Sequence, residues 1–146
     1  MISIATTRFS AQTWEENTRW CRVNNEQRYG VPSLISDSVP LNSKVVVIEL
    51  NNPINRVEGI GVVINKHSSP VRDMYSDKNW GRYSYRIIHR FDRQYLIEYH
   101  PATLQLLDIN MFYGKYHLKR GWGITVWKRG DKVINKILKH FAYKTD

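Results

Sequence analysis

The chain has 146 residues, of which 42% are hydrophobic and 12% aromatic, and it carries a net charge of +9. This composition excludes a disordered or collagen-like chain, and no apolar run approaches the roughly 20 residues that span a bilayer. A single cysteine, Cys21, excludes a disulfide framework or a cysteine zinc site within one chain. Residues 1–8 lack a charged segment followed by a long apolar one, so we expect no secretion signal. We therefore expect one domain over residues 1–146, with no membrane partner.

The positive charge is concentrated in the second half of the chain. Residues 1–73 carry 8 basic and 7 acidic side chains, a net of +1, whereas residues 74–146 carry 14 basic and 6 acidic side chains, a net of +8. A polarised basic surface attracts polyanions, and nucleic acid is the commonest polyanion inside cells. The alternative is a basic surface that only keeps the protein soluble.

The first predicted element is a helix over residues 11–22. Ser10 is suited to the N-cap, and Thr13 with Glu16 fits a capping box, in which each side chain satisfies a free backbone N–H of the other residue. Residues 29–33, which contain a glycine and a proline, indicate a turn.

The next two elements form a predicted hairpin. Residues 44–50 are a β-branched run that is short for a helix, residues 51–55 are rich in turn formers, and residues 57–64 form a second strand. Gly59 and Gly61 lie on one side of that second strand, where the lack of side chains lets the strand bend or lets another group come close.

Three further strands and a closing helix follow. We predict strands at residues 83–91, 109–113 and 122–127, and a helix that begins after Asp131 as its N-cap. The 83–91 strand alternates with period two. Its two predicted faces are Tyr83, Tyr85, Ile87, His89 and Phe91 on one side, and Arg82, Ser84, Arg86, Ile88 and Arg90 on the other. The predicted fold class is α+β: a small curved sheet or partly closed barrel with an N-terminal and a C-terminal helix.

The sequence gives little support for enzyme chemistry. The histidine spacing matches no zinc motif, and no phosphate-binding or dinucleotide loop occurs, so we expect no cofactor, no metal site and no catalytic residue. Glu49 is the most suggestive carboxylate, because it ends an apolar strand beside three asparagines. It either accepts N–H groups of the turn or, with Glu58 and Asp73, contributes to a metal-dependent nuclease.

Aromatic and basic residues alternate in two segments of the basic half, residues 80–86 and 114–123. A flexible strand is bound by cations that follow its phosphates and by rings that stack on its bases. We predict that three groups of side chains do this. Arg82, Arg86, Lys119, Arg120, Lys128 and Arg129 contact phosphates; Trp80, Tyr83 and Trp122 stack or line a pocket; Asn51, Asn52 and Asn55 shape its rim. The alternative for Trp122 and Tyr83 is core packing.

A series of short motifs occurs in a fixed order. They are Tyr29-Gly30-x-Pro32, residues 49–61 with their asparagines and Gly59-Ile60-Gly61, then Trp80-Gly81-Arg82-Tyr83, and His117-Leu118-Lys119-Arg120-Gly121. Together they resemble a family of short, basic proteins encoded by large double-stranded DNA viruses of eukaryotes. The resemblance implies a viral setting: the cytoplasm or nucleus of an infected host cell, or the virion. The strand, Asn-rich turn and Gly-Ile-Gly strand are also similar to PUA-like domains of the EVE and YTH type, which are small barrels that commonly read nucleic acid.

These observations lead to one functional hypothesis with two alternatives. The leading hypothesis is a non-enzymatic module that binds nucleic acid, either RNA or single-stranded DNA. The first alternative is a structural or genome-packaging protein of the virion, with other virion proteins as partners. The second is the metal-dependent nuclease built on Glu49.

Overall fold

The structure is a computed structural model that describes residues 1–128 and 130–144. These residues contain six strands and four α-helices, together with short 3₁₀ turns and loops. The strands are β1 (Ile2–Phe9), β2 (Arg28–Val31), β3 (Lys44–Asn51), β4 (Arg56–Ile64), β5 (Tyr83–Asp92) and β6 (Thr125–Val126). The helices are α1 (Ala11–Asn24), α2 (Arg93–Tyr99), α3 (Pro101–Phe112) and α4 (Lys132–His140). None of these helices has both the length and the apolar character needed to cross a membrane.

The strands form one mixed sheet in the order β2-β5-β4-β3-β1-β6, which curls into a half-barrel. β1 runs parallel to β3, and the other neighbouring pairs are antiparallel. The predicted α+β class with a small curved sheet is therefore confirmed. The predicted first helix does form, but it is preceded by a strand, β1, which lies between β3 and β6 in the sheet.

The sheet buries both of its faces, and the two cores are built from alternate residues of β3. Val46 and Ile48 face one core, which α2, α3 and α4 cover with residues such as Leu107. Val45 and Val47 face the other core, against which Trp14 of α1 packs. A strand buried on both faces has a nearly continuous apolar sequence, which is why β3 is the easiest element to recognise.

Local sequence signals place the helix starts. Ser10 caps α1, but its reciprocal partner in the capping box is Thr13, and Glu16 instead accepts from Ser76. Asp131 caps α4 as predicted, and its carboxylate accepts from the N–H groups of Val133 and Ile134. These caps satisfy free N–H groups of the first helical turn, so a short polar side chain is enough to mark them.

Three predicted elements differ from the structure. Residues 109–113 are not a strand but the end of α3 and the residue after it, in a helix that begins with Pro101 in its first turn. The strand predicted at 122–127 shrinks to β6, because Gly121 and Gly123 have φ of 107° and 72°. Residues 28–31 form β2 rather than a turn. Gly30 serves close packing there, since a Cβ would lie 2.7 Å from Sδ of Met74.

The alternation predicted for residues 83–91 breaks at a β-bulge. Val63 pairs with Ile87 and Val62 pairs with His89, so Ile88 is an extra residue in β5. Beyond the bulge the faces exchange: Phe91 packs in the core under α2–α4, on the opposite side from Tyr85. Arg90 consequently lies on the face of Tyr85 and not, as predicted, on the face opposite to it.

Candidate nucleic-acid interface

A cavity of about 410 Å³, which we call the Trp80 cavity, lies where several chain segments meet. Its walls are residues 7–10 at the end of β1, residues 30–32 at the end of β2, and the side chains of Asn52, Trp80 and Lys119. Asn52, Trp80 and Lys119 are all among the predicted site residues. The fold therefore brings together three side chains that are far apart in the sequence.

Two tryptophans form an edge-to-face pair beside this cavity. The ring centroids of Trp80 and Trp122 are 6.2 Å apart, with an angle of 72° between the ring planes. Trp80 is half-buried against a small cluster that contains Val71 and Met74, so its position is fixed. Trp122 is 68% exposed and is not a core residue. A fixed ring and an exposed ring, side by side, offer surfaces on which planar groups can stack.

The basic segment around residue 119 is tied to the asparagine-rich turn between β3 and β4. The side-chain amide of Asn52 donates to the carbonyl of Lys119 at 2.8 Å, and Nζ of Lys119 donates to Oδ1 of Asn55 at 2.6 Å. Asn51 is buried and pairs with Phe9 in the sheet. The hydrogen bonds of Asn52 and Asn55 therefore hold Lys119 at the rim of the Trp80 cavity.

Arg8 is a further cation of this cavity, and it was not among the residues predicted for the site. Its guanidinium donates to the carbonyl of Leu118 at 2.9 Å and to the hydroxyls of Thr6 and Thr125 at 2.6 and 2.8 Å. Burial lowers the pKa of Arg8 to about 10. Among the described residues it forms no ion pair, and its Nη1 is a buried donor with no acceptor.

The Trp80 cavity is positively charged. Its walls contain two cations, Arg8 and Lys119, and no aspartate or glutamate among the described residues. An uncompensated pair of cations in a partly enclosed space gives a positive potential, which attracts an anion. Arg8 reaches this cavity because β1 pairs with β3 and β6. No local sequence pattern reveals that pairing.

None of the other predicted cations that the structure describes lines this cavity, and neither does Tyr83. Arg82 is exposed and its guanidinium carbon lies 5.9 Å from the ring centroid of Tyr83. Tyr83 is half-buried and contacts His67 edge-on. Arg86 pairs with Glu26 at 3.3 Å and lines a different recess. Two more cations, Arg120 and Lys128, are exposed, and Arg129 lies outside the described residues.

A second cavity, of about 450 Å³, lies between α1 and the sheet, and we call it the Glu49 cavity. Glu49 is 1% exposed and accepts hydrogen bonds from the hydroxyl of Tyr29 and from Nε and Nη2 of Arg90, the latter two at 2.9 and 2.6 Å. Arg90 reaches Glu49 because of the bulge at Ile88. Burial and the adjacent Glu49 carboxylate raise the pKa of the Tyr29 phenol, so this group stays protonated.

The two glycines of β4 make room for this cluster. A Cβ at Gly61 would overlap the Tyr29 hydroxyl, and a Cβ at Gly59 would lie 2.9 Å from Nη2 of Arg90. The sequence predicted a close approach at these glycines, and the groups that approach are these two side chains. The bulge at Ile88 and the two glycines thus leave room for buried polar side chains at the floor of the Glu49 cavity.

The three carboxylates of the nuclease hypothesis have separate partners. Glu49 binds Arg90, Glu58 pairs with Arg56 at 2.5 Å, and Asp73 accepts from the indole of Trp20. Within residues 1–128 and 130–144, no three histidine, cysteine, aspartate or glutamate side chains are grouped so as to hold a metal ion. The nuclease hypothesis stays a prediction.

Comparisons with family models, with curated proteins and with solved structures found no match for this chain.

Proposed function

We propose that this protein binds single-stranded nucleic acid, RNA or single-stranded DNA, across the Trp80 cavity and the exposed surface around it. The observation that carries the proposal is the position of the Trp80–Trp122 pair beside a cavity with two cations and, in its described walls, no carboxylate. Rings beside cations are the two components that a flexible strand requires, since bases stack on the rings and phosphates bind the cations.

Four of the predicted residues, together with Arg8, would form the contacts with the strand. Trp122, as the exposed ring, stacks on a base, and Trp80 forms the wall behind it. Lys119 and Arg120 bind phosphates as the strand passes, and Arg8 supplies positive potential from within. Stacking of one base on an aromatic ring contributes about 1–3 kcal/mol.

A single strand fits these features better than a duplex does. The faces of duplex bases are already stacked on one another, so they are not available to Trp122. A cavity of about 410 Å³ has the size of a site for one small ligand, which a splayed-out nucleotide matches. A duplex would be limited to phosphate contacts.

We propose that the curled six-stranded sheet is a PUA-like half-barrel, because a mixed, curled sheet flanked by helices suits that class. The proposed setting is viral, on the strength of the ordered motifs between residues 29 and 125. In the infected cell the ligand would be RNA or single-stranded DNA, and in a virion the same surface would contact the packaged genome.

The test uses two double variants with the same loss of charge. Lys119→Ala with Arg120→Ala removes a cation of the Trp80 cavity and the exposed cation that follows it in the chain. Lys132→Ala with Lys136→Ala removes two exposed cations of α4. Binding of a labelled, unstructured oligonucleotide is measured at several salt concentrations. The first variant is expected to lower the slope of log affinity against log salt by about 1.4, at about 0.7 for each phosphate contact, and the second is expected to keep the wild-type slope. Equal slopes in both variants would contradict the proposal.

A further inference from the structure

The Glu49 cavity has the size and the walls of a small-molecule site. Its volume of about 450 Å³ lies within the range of known ligand sites, about 300–1,000 Å³. Phe9, Trp14 and Ile87 give its walls an aromatic and apolar character, and Glu49 and Arg90 lie at its floor. Apolar walls with a few polar groups are typical of sites that bind small ligands.

The guanidinium of Arg90 has hydrogen-bond donors to spare in this cavity. Nε and Nη2 donate to the two carboxylate oxygens of Glu49 at 2.9 and 2.6 Å, and Nη1 has no hydrogen-bond partner among the described residues. The Arg90 side chain is 26% exposed, and its Nη1 is not sealed from solvent. A guanidinium carries five N–H groups, of which Glu49 takes two, so the others can bind an acceptor atom of a ligand.

Trp14 places an aromatic ring beside this donor. The guanidinium carbon of Arg90 lies 5.9 Å from the centroid of the Trp14 ring, and the ring of Phe9 meets Trp14 edge-on at 5.1 Å. Trp14 is partly buried, so packing holds its ring while part of the ring stays accessible. A ring next to a free donor suits a flat ligand, which can lie against the ring while its acceptor atom meets Nη1.

The charges in the walls of the Glu49 cavity cancel. Two cations, Arg22 and Arg90, and two carboxylates, Glu26 and Glu49, line it, so its described residues carry no net charge. A charged ligand would leave water without a net opposite charge to receive it, which is costly in a partly enclosed site. An uncharged ligand avoids this cost. The Glu49 cavity thus differs from the positive Trp80 cavity, although Phe9 is a wall of both.

The ion pair at the floor is not the arrangement that stability alone would favour. Replacing a buried ion pair by well-packed apolar side chains is often neutral or stabilising. Here a bulge at Ile88 turns Arg90 towards Glu49. Gly59 and Gly61 leave the space that the polar side chains occupy. Since bulges often re-aim side chains next to functional sites, these features together indicate a binding role for the cavity.

We propose that the Glu49 cavity binds a small, uncharged, planar molecule that carries a hydrogen-bond acceptor, the chemical class of a nucleobase or nucleoside. The ring lies against Trp14, and its carbonyl oxygen or ring nitrogen accepts from Nη1 of Arg90. The exposed amides of Asn25 and Gln27 line the same cavity and offer donors and acceptors to the edges of the ligand. The proposal does not rest on the nucleic-acid interface.

Calorimetric titration with guanosine tests the proposal, because O6 and N7 of guanine are adjacent acceptors that arginine commonly binds. The wild type is expected to bind guanosine with a Kd of about 1 mM or tighter, and the affinity should change little with salt, since the ligand is uncharged. Thr18→Phe places a large side chain at an exposed position of the cavity wall, so it is expected to abolish binding. The control is Gln12→Phe, which places the same side chain at an exposed position of α1 outside the cavity and should bind as the wild type does.

Two further measurements address the donor and the charge. Arg90→Lys keeps a cation beside Glu49 but removes the planar donor, so it is expected to weaken guanosine binding. Circular dichroism shows whether this variant is folded, and if it is not, Thr18→Phe decides the matter. Benzamide and benzoate have the same ring but differ in charge, and only the uncharged benzamide is expected to compete with guanosine.

Three results would overturn the proposal. They are a wild type that does not bind guanosine, a Thr18→Phe variant that binds it as the wild type does, and competition by benzoate equal to that by benzamide. An unstructured oligonucleotide added as a competitor identifies the source of the ligand. If it displaces guanosine, a base of a bound strand occupies the cavity, and if it does not, the ligand is a free small molecule; both results support the site.

Discussion

Gly61 lies directly beneath the hydroxyl of Tyr29, so that a methyl group at this position would overlap the phenol oxygen. Tyr29 is 2% exposed and its hydroxyl donates to Glu49, so it has no space into which to move. The glycine in the middle of β4 is thus required because the Tyr29 side chain from β2 packs over it, across the intervening strand β5.

Gly61→Ala is therefore expected to destabilise the protein by about 1–3 kcal/mol, which is the usual cost of overfilling a packed interior. Urea unfolding measures the change. In a Tyr29→Phe background the oxygen is absent, so the same alanine substitution is expected to cost clearly less. An equal cost in both backgrounds would show that Tyr29 is not the group that Gly61 accommodates.

Because Glu49 and Arg90 form an ion pair at the floor of the Glu49 cavity, we expect the effects of their substitutions on stability to be strongly non-additive. Arg90→Met leaves a carboxylate that is 1% exposed without its cation, at a cost of about 3–5 kcal/mol in the free energy of unfolding. Adding Glu49→Gln removes the unpaired charge and keeps an acceptor for the Tyr29 hydroxyl. The double variant is thus expected to be more stable than Arg90→Met alone. If the second substitution lowers stability further, the ion pair is not the dominant interaction there.

Alkaline pH is expected to unfold the protein through its buried tyrosines. Burial raises the pKa values of Tyr29, Tyr75 and Tyr85 above 10 in the folded state. The unfolded chain then releases these protons first, so the stability is fully present below pH 10 and falls as the pH rises above it. The lowered pKa of Arg8 acts in the opposite direction, but it is a single group.

A spectrophotometric titration of the tyrosines checks this expectation. Of the nine tyrosines, these three are expected to ionise late, together with the loss of the circular dichroism signal. Ionisation of all nine tyrosines around pH 10 in a protein that stays folded would contradict it.

The two tryptophans of the interface are expected to differ in what they stabilise. Trp122 is 68% exposed, so Trp122→Ala should leave the stability almost unchanged while it weakens binding of a single strand by about 1–3 kcal/mol. Trp80→Ala should reduce both, because Trp80 also packs against Val71 and Met74. Tyr143→Ala is a matched control, since Tyr143 carries a ring that is 70% exposed and it follows α4 in the chain. A Trp122→Ala variant with wild-type affinity would argue against stacking.

The parts of the fold that the sequence predicted are those with local causes. Ser10 and Asp131 mark helix starts because a capping side chain acts on N–H groups two or three residues away. The hairpin of β3 and β4 is recognisable because a β-branched run, a turn and a second run follow one another. In the site, the asparagine-rich turn and the residues of 114–123 were selected by composition, and Asn52, Trp80 and Lys119 do line one cavity.

The remaining parts depend on distant contacts. The prediction of a strand at residues 109–113 is wrong because α3 carries apolar residues on opposite faces, so its sequence shows no clear helical periodicity. Arg90 was assigned to the wrong face because a bulge at Ile88 depends on the pairing with β4. Arg8 acquires its role only when Leu118 and Thr125, more than 100 positions away, come to lie against β1.

The most direct test of the central claim is a titration of the wild-type protein with an unstructured oligonucleotide, followed by tryptophan fluorescence at increasing salt concentration. Stacking on Trp122 should quench the fluorescence, and the release of counterions should make the affinity fall steeply as salt rises. Affinity that stays constant from low to high salt, or binding with no change in fluorescence, would contradict the account.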